Sequence, residues 1–365
     1  TYKGGLNKFD RDKQHFVHYR HDPNNQNTIS GNNIRCIFED SRRRLWIGTD
    51  SGLNRMDRGE NRFIQYRHRQ NNRRSISHDT VRCIFEDKQN RLWIGTDMGL
   101  NRFDRKTKQF TRYKHRANDP RSIADNAILS LFQDSGENIW IGTSGNGISQ
   151  INHNAEQFNS LHFGLENNHS GSWNQTIWSV CEDRNGDVWY GTRKGGLNRY
   201  DRLNNRMVNY RHIPENRESI SSNAVRTIFE DSKGVLWIGS FGGGLNRFDR
   251  KTQRFHRFHH QPGVAGTISS NIIRIIREDR NGILWVGTHK GLNRYNPETD
   301  RFITFQHQAD NPNSLSHNDV VSLCDDIGDS LWIGTFGGGL NHLDIKKKRF
   351  TRYQRKADQT KGISS

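Results

Sequence analysis

Arginine recurs at one position of a pattern that is repeated along this chain of 365 residues. A guanidinium group can form two parallel hydrogen bonds to a carboxylate, sulfate or phosphate, so several arginines that converge would make an anion-binding site. The alternative is that each arginine pairs with a nearby acidic side chain or extends into solvent. The position lies five residues before a repeated aspartate, and the seven copies carry Arg35, Arg82, Leu129, Trp178, Arg226, Arg274 and Val321.

Aromatic and cationic side chains also stand in turns where the copies differ. Phe241 and Phe336 each precede three glycines, and a ring on such a turn is poorly buried by its own strands, so it could present its face to a sugar or a base. Packing between strand units is the equal alternative. The most divergent copy is followed by a loop with Trp173, which makes Trp173 and Trp178 the best aromatic candidates. The ligand-binding candidates are Arg35, Arg82, Trp173, Trp178, Arg193, Arg226, Phe241, Arg274, His289 and Phe336.

Catalytic and metal-binding groups are not indicated by the same comparison of copies. The pair Glu230-Asp231 recurs in nearly every copy, so a structural role in a turn is favoured over acid–base chemistry. The recurrent histidines follow the last strand of each unit, where a shared ion is not expected. We therefore expect no metal, no cofactor and no catalysis, with a propeller lyase or hydrolase as the least favoured alternative.

The elements that position these residues follow from the tryptophan spacing. Tryptophans that precede an Ile/Val/Tyr-Gly pair are 47 to 49 residues apart, at Trp46, Trp93, Trp140, Trp189, Trp237, Trp285 and Trp332. Around Trp237, alternation and turn residues predict strand A at 225–231, strand B at 235–239, strand C at 245–248 and strand D at 254–258. Four short antiparallel strands in each of seven copies predict an all-β β-propeller of four-stranded blades.

The repeat is incomplete at the ends of the sequence. The strand C signature occurs eight times and the A–B pair seven times, so residues 1–30 are predicted to be a partial blade of strands C and D, and residues 31–365 a seven-bladed propeller. An eight-bladed ring that lacks half a blade is the alternative. Either arrangement is what a fragment of a longer chain would give, and any contact with a membrane would be through absent segments, because no apolar run is long enough to span one.

The distribution of charge and the positions of the cysteines argue against two classes of partner, nucleic acids and metal ions. The formal net charge is +17, but the basic clusters, such as Arg105-Lys106 and Arg250-Lys251, fall in the C–D turns and are expected to form a solvated rim. Nucleic-acid binding is not expected, because it needs a contiguous basic stripe. The four cysteines lie in separate copies of strand A, without metal-ligand spacing, and are expected to be buried free thiols.

The repeated string Glu-Asp-x-x-Gly-x-Leu-Trp-Ile-Gly-Thr-x-x-Gly-Leu-Asn-Arg-Phe-Asp, clearest at 230–249, resembles the two-component regulator propeller repeat. The resemblance covers the whole chain and implies the propeller fold. It also implies the extracytoplasmic, periplasmic sensor region of a bacterial hybrid histidine kinase or related signalling protein, a class in which many members bind oligosaccharides. Together with the arginines, it predicts an oligosaccharide or an anionic small ligand as the partner, and it allows a homodimer through the full-length protein. A protein–protein interaction scaffold is the alternative function.

Overall fold

The computed structural model describes residues 3–152, 158–161, 176–355 and 362–364, and every regular element in these ranges is a β-strand. An N-terminal hairpin consists of β1 (Leu6–Asp10) and β2 (His15–Tyr19). Blade 1 consists of β3 (Ile34–Glu39), β4 (Leu45–Thr49), β5 (Gly52–Asp57) and β6 (Arg62–Tyr66). Blade 2 consists of β7 (Val81–Glu86), β8 (Leu92–Thr96), β9 (Gly99–Asp104) and β10 (Gln109–Tyr113). Blade 3 consists of β11 (Ile128–Gln133), β12 (Ile139–Thr143), β13 (Ile148–Ile151) and β14 (Phe158–Leu161).

The remaining strands continue the same order. Blade 4 consists of β15 (Ile177–Glu182), β16 (Val188–Thr192), β17 (Leu197–Asp201) and β18 (Arg206–Tyr210). Blade 5 consists of β19 (Val225–Glu230), β20 (Leu236–Ser240), β21 (Leu245–Asp249) and β22 (Arg254–Phe258). Blade 6 consists of β23 (Ile273–Glu278), β24 (Leu284–Thr288), β25 (Gly291–Asn296) and β26 (Arg301–Phe305). Blade 7 consists of β27 (Val320–Asp325), β28 (Ser330–Thr335), β29 (Gly339–Asp344) and β30 (Arg349–Tyr353).

Each blade is one four-stranded antiparallel sheet in sequence order A, B, C, D, and the hairpin is a two-stranded sheet. The protein is therefore a β-propeller of seven four-stranded blades with an additional N-terminal hairpin, and the predicted fold class is confirmed. The strands predicted around Trp237 agree with β19 to β22 to within one residue at each end.

The described strands fall into two compact units, residues 1–177 with 358–365, and residues 178–357. In the first unit the innermost strands of neighbouring blades lie side by side, with β3 next to β7 and β7 next to β11. In the second unit β19 lies next to β23, and β23 next to β27.

The core of the propeller lies between neighbouring blades. Trp46 of blade 1 is fully buried in one cluster with Val81, Leu92 and Phe103 of blade 2. Its ring meets that of Phe103 edge to face, with the ring centroids 5.2 Å apart. The equivalent ring of blade 5, Trp237, belongs to one cluster with blade 6 in the same way. Since each sheet presents a buried face to the next one, a blade is stabilised mainly by its neighbour.

An aspartate in the A–B turn fixes each of these tryptophans. One carboxylate oxygen of Asp40 accepts the backbone N–H groups of Arg42 and Arg44, and the other accepts the indole N–H of Trp46 at 3.0 Å. The same indole-to-carboxylate bond, at 2.7 to 3.0 Å, is made by Trp46, Trp93, Trp140, Trp189, Trp237 and Trp285. The recurrent aspartate therefore has a structural role, as its recurrence indicates.

Two of the basic turns are not the solvated rim that the sequence predicts. Arg105, in the C–D turn of blade 2, donates to Asp40 of blade 1 at 2.6 Å and to Glu86 of its own blade at 2.5 Å, and its side chain is only 10% exposed. Arg250 of blade 5 bridges Asp183 and Glu230 in the same way. The expectation was wrong for these two residues because the guanidinium group neutralises a carboxylate that the indole bond holds in the interior.

The cysteines were expected to be buried free thiols, and all four are free. Burial raises the pKa of Cys36 to about 12 and raises the pKa of Cys83 and Cys181 as well. Cys324 is exposed, which corrects the expectation for this residue.

The pH dependence of stability tests the role of Asp40. Burial alone raises the pKa of Asp40, but hydrogen bonds from Trp46 and Arg105 reverse this effect and lower the pKa to about 2. A lowered pKa stabilises the fold above the unfolded-state value of about 3.9, and this contribution is lost as the pH falls through 2. Asp40→Asn is therefore expected to lower the free energy of unfolding by about 2 kcal/mol at pH 7, and by progressively less towards pH 2.

Urea unfolding at pH 7, 4 and 2.5 measures this difference, and Asp12→Asn, at an exposed aspartate of the hairpin turn, is the control expected to match the wild type throughout. A loss that stays constant between pH 7 and 2.5 would contradict the assignment.

Candidate ligand-binding site

A β-bulge singles out the variable position of strand A. In six blades, the pairing of strands A and B shifts by one residue, and the extra residue is the one that lies five before the turn aspartate. These extra residues are Arg35, Arg82, Leu129, Arg226, Arg274 and Val321. A bulge leaves its extra residue out of the alternation and re-aims its side chain. The position is therefore free of the pairing that constrains the rest of the strand.

Three of the four arginines at the bulge pair with carboxylates. Arg35 forms an ion pair with Asp50, in the B–C turn of its own blade, and Arg82 does the same with Asp97. Burial alone raises the pKa of Asp50, but the bonds from Arg35 and Asn33 outweigh it and hold the pKa below its usual value. These two arginines follow the alternative in which each side chain finds an acidic neighbour.

Arg274 is paired more completely. Its guanidinium group binds Asp319 through two parallel hydrogen bonds of 3.0 and 2.9 Å. His289 Nδ1 lies 3.1 Å from the same carboxylate, whose side chain is only 5% exposed. Because Asp319 comes from the loop before strand A of blade 7, the three groups join blades 6 and 7 within the second unit. Arg274 and His289 thus have a structural partner that the sequence analysis missed.

Arg226 differs from the other three. Its guanidinium carbon lies 5.6 Å from the ring centroid of Trp178 of the neighbouring blade, in cation–π geometry. Among the described residues it makes no hydrogen bond and no ion pair, and burial and the charge of Arg274 lower its pKa, while Asp319 opposes that shift. Arg226 is therefore a partly buried cation whose hydrogen-bond donors are available to a ligand.

Phe241 extends this cluster towards solvent. Its ring centroid lies 6.4 Å from that of Trp178, and the residue is 45% exposed. The turn that follows explains this position. Gly244 has a φ of +82°, and a Cβ atom on Gly243 would lie 2.7 Å from Ser221 and Ser222, so the turn folds tightly against the preceding loop and leaves Phe241 outside.

A groove of 530 Å³ lies beside Phe241 in the second unit. The groove is shallow and open to solvent. It is lined by Arg193 and Lys194, in the B–C turn of blade 4, and by residues 221–224, in the loop before strand A of blade 5. Both cations are exposed. The groove thus combines an aromatic face with basic side chains, and it is built from turns and loops on rigid strands, as binding sites commonly are.

Two candidates do not join this cluster. Phe336 is 71% exposed and its ring stacks on no other ring of the described residues, although its backbone N–H binds Asp319 O at 2.8 Å. Trp173 lies outside the described residues. Within the described ranges, no group of three or more His, Cys, Asp and Glu side chains could hold a metal ion, and no helix is long and apolar enough to cross a membrane.

The recurrent histidines have a structural role in the loop between strands D and A. His68 Nδ1 lies 2.8 Å from the carbonyl oxygen of Ile76, and its backbone N–H donates to Asp79. From β10 of blade 2, Arg112 donates to the carbonyl groups of Ser75 and Ile76 in the same loop. Part of the positive charge is thus used inside the loops.

Comparison with known families identifies the repeat. The family model described as two component regulator propeller matches six segments in register, at 28–51, 75–98, 122–145, 171–194, 219–242 and 267–290. The chain belongs to the two-component regulator propeller family. The segment of blade 7 is not among those matches, yet it forms the same four-stranded sheet in this propeller.

Solved structures share the propeller fold. The extracellular domain of a B. thetaiotaomicron protein assigned as a one-component system is 21% identical, with a TM-score of 0.54, and the match covers 97% of this chain and 46% of that one. The computationally designed Ika8 protein is 16% identical, with a TM-score of 0.57 and coverage of 90% and 87%. Virginiamycin B lyase from Staphylococcus aureus is 13% identical, with a TM-score of 0.53 and coverage of 82% and 91%.

These identities establish likeness of fold alone. This propeller spans about half the length of the first of these relatives. No curated protein matches the sequence.

A double-mutant cycle tests the joint between Arg274 and Asp319. Arg274→Met leaves a buried carboxylate whose remaining side-chain partner among the described residues is His289, so we expect a loss of about 2 to 3 kcal/mol in the free energy of unfolding at pH 7. Adding Asp319→Asn removes the uncompensated charge and should recover more than half of that loss. Urea unfolding of the wild type, both single variants and the double variant measures the coupling, and strictly additive losses would contradict it.

Proposed function

We propose that this propeller is the ligand-sensing region of a bacterial membrane-spanning signalling protein and that it works outside the cytoplasm. Membership of the two-component regulator propeller family supports this proposal, as does the fold shared with an extracellular domain assigned to a one-component system. The propeller binds its ligand and does not turn it over. Any kinase or cyclase activity would belong to other segments of the protein.

The cluster of Trp178, Arg226 and Phe241 carries the proposal. It offers a ring face, a guanidinium group that pairs with no carboxylate of the described residues, and a second ring at the groove. Aromatic faces pack against the apolar faces of sugar rings, and a partly buried guanidinium group binds a carboxylate or sulfate with a strength that an exposed one lacks. An anionic oligosaccharide meets both requirements.

The charges around the cluster favour an anion over a neutral sugar. Arg226, Arg193 and Lys194 are cationic, and Asp319, the carboxylate whose charge acts on Arg226, is already paired with Arg274. Net positive charge at a groove attracts anionic ligands and raises their rate of association.

Signalling requires that the ligand prefers one arrangement of the protein over another. The cluster joins strand A of blade 4 to strand A and the B–C turn of blade 5, so a bound ligand would stiffen the joint between two blades. We propose that this change alters packing or homodimerisation in the longer protein.

Binding measurements on two variants test the site. Isothermal titration calorimetry measures the affinity for three ligands: a sulfated heparin-derived tetrasaccharide, the carboxylated tetragalacturonate and the neutral maltotetraose. We expect at least one anionic ligand to bind, and Arg226→Ala to weaken its affinity 10- to 100-fold, because a charge-assisted hydrogen bond contributes about 1.5 to 3 kcal/mol. Maltotetraose should bind neither protein.

Lys251→Ala is the matched control, since it removes one exposed cation from the C–D turn of the same blade. It should leave the affinity unchanged at fixed ionic strength. The proposal fails if no anionic ligand binds the wild type, or if Arg226→Ala and Lys251→Ala weaken binding equally.

A further inference from the structure

The face that blade 1 presents on its N-terminal side is less covered than the same face of the other blades. Ile37 of β3 is 54% exposed, whereas its counterparts Ile84, Ile228 and Ile276 are at most 9% exposed. In blade 2, Ile84 lies in the cluster that is built around Trp46 of the preceding blade. Before blade 1 stands the two-stranded hairpin, whose strands correspond to C and D and carry no tryptophan.

The hairpin nevertheless packs on blade 1 as a preceding blade does. Leu6, which corresponds to Leu53 of blade 1, is buried in one cluster with Ile29, Ile47 and Phe63. Tyr19 meets Phe63 edge to face, with centroids 5.4 Å apart, as Tyr66 meets Phe110 one blade later. In the later pair of blades, Tyr66 also meets Trp46 at 5.9 Å. By this correspondence, the space beside Tyr19 is the position that the tryptophan of an A–B hairpin occupies in the complete blades.

The ion pair between strand A and the C–D turn is also more exposed in blade 1 than in blade 2. In blade 2, Arg105 and Glu86 are 10% and 7% exposed, and Arg105 also binds Asp40 of the preceding blade. In blade 1, the corresponding Arg58 and Glu39 still pair at 2.5 Å but are 54% and 46% exposed. Glu86 additionally accepts the backbone N–H of Ser41, in the A–B turn of the preceding blade. Arg58 therefore corresponds to the arginine that binds a turn aspartate of the preceding blade, and Glu39 corresponds to the glutamate that accepts a turn N–H from it.

The loop that comes before strand A is present beside the hairpin. The backbone N–H of Ser364 donates to Asn7 Oδ1 at 3.0 Å, as Ser30 donates to Asn54 at 2.8 Å within blade 1. Arg20 donates to the carbonyl oxygen of Ser364, as Arg67 does to that of Ser30. The flanking contacts of a complete blade thus surround the hairpin.

We propose that Ile37, Glu39, Arg58 and Tyr19 form a docking surface for an A–B hairpin of the same repeat, which would complete the N-terminal hairpin as a four-stranded blade. Met56 belongs to this surface because it corresponds to Phe103, which meets Trp46 one blade later. The tryptophan of the incoming hairpin packs over Ile37 and beside Tyr19. Its turn aspartate accepts the indole N–H and binds Arg58, and a turn N–H donates to Glu39. The occupant comes from outside residues 1–365, because each A–B pair in the described ranges belongs to its own blade.

A synthetic peptide supplies the occupant in trans. The peptide reproduces residues 221–241, which include the aspartate and tryptophan of blade 5, and a second peptide carries Trp237→Ala. Fluorescence polarisation with the whole chain should show saturable 1:1 binding of the first peptide and at least tenfold weaker binding of the second. Ile37→Glu and Arg58→Ala in the chain should each weaken binding at least tenfold, whereas Ile303→Glu, at an isoleucine 44% exposed on β26, should not.

A fusion removes the uncertainty about whether a short peptide folds. Appending residues 221–241 after Ser365 raises the effective concentration of the hairpin, and we expect the melting temperature to rise above that of a fusion with Trp237→Ala in the added segment. No binding together with no rise would overturn the proposal. A chain that dimerises in light scattering and becomes monomeric with Ile37→Glu would assign the surface to a second copy instead.

Discussion

The structure depends on the hydrogen bond between an indole N–H and an aspartate in the A–B turn of the same blade. The bond holds the tryptophan ring on the face of its sheet that packs against the next blade, and the carboxylate also fixes the turn that brings strands A and B together. In two blades an arginine of the following blade neutralises this carboxylate. One short motif thus specifies a turn, a buried contact and a charge pair, which is why a sequence with few hydrophobic residues still folds.

We call this contact of the tryptophan and its turn aspartate with the next blade the joint. It distinguishes the residues that the fold requires from those that are available for binding. Residues at the joint recur because every blade needs them. The bulge in strand A lies outside the joint, and its extra side chain is not fixed by strand pairing. The propeller can therefore vary this position without losing its fold, and Arg226 with Trp178 is the variation on which we base the proposed binding site.

The sequence predicts the strands well because their alternation and turn residues are local signals. The bounds around Trp237 and the place of Asp231 in its turn follow from that pattern alone. The partners of the arginines do not, since Asp319 lies in another blade from Arg274 and Asp40 in another blade from Arg105. Distances between blades carry no signal in one sequence, so Arg274, which pairs with a carboxylate of the next blade, could not be told from Arg226, which pairs with none of the described residues.

In this account, the tryptophan–aspartate joints stabilise the fold, and the cluster of Trp178, Arg226 and Phe241 at blades 4 and 5 binds the ligand. Hydrogen–deuterium exchange, followed by mass spectrometry with and without the anionic oligosaccharide that binds, tests both parts in one measurement. We predict that the ligand slows exchange in peptides that cover residues 178, 193–194, 221–226 and 241–244, while the peptides around Trp46 and Trp93 exchange slowly with or without ligand. Protection by the ligand elsewhere, with none at blades 4 and 5, would contradict the account.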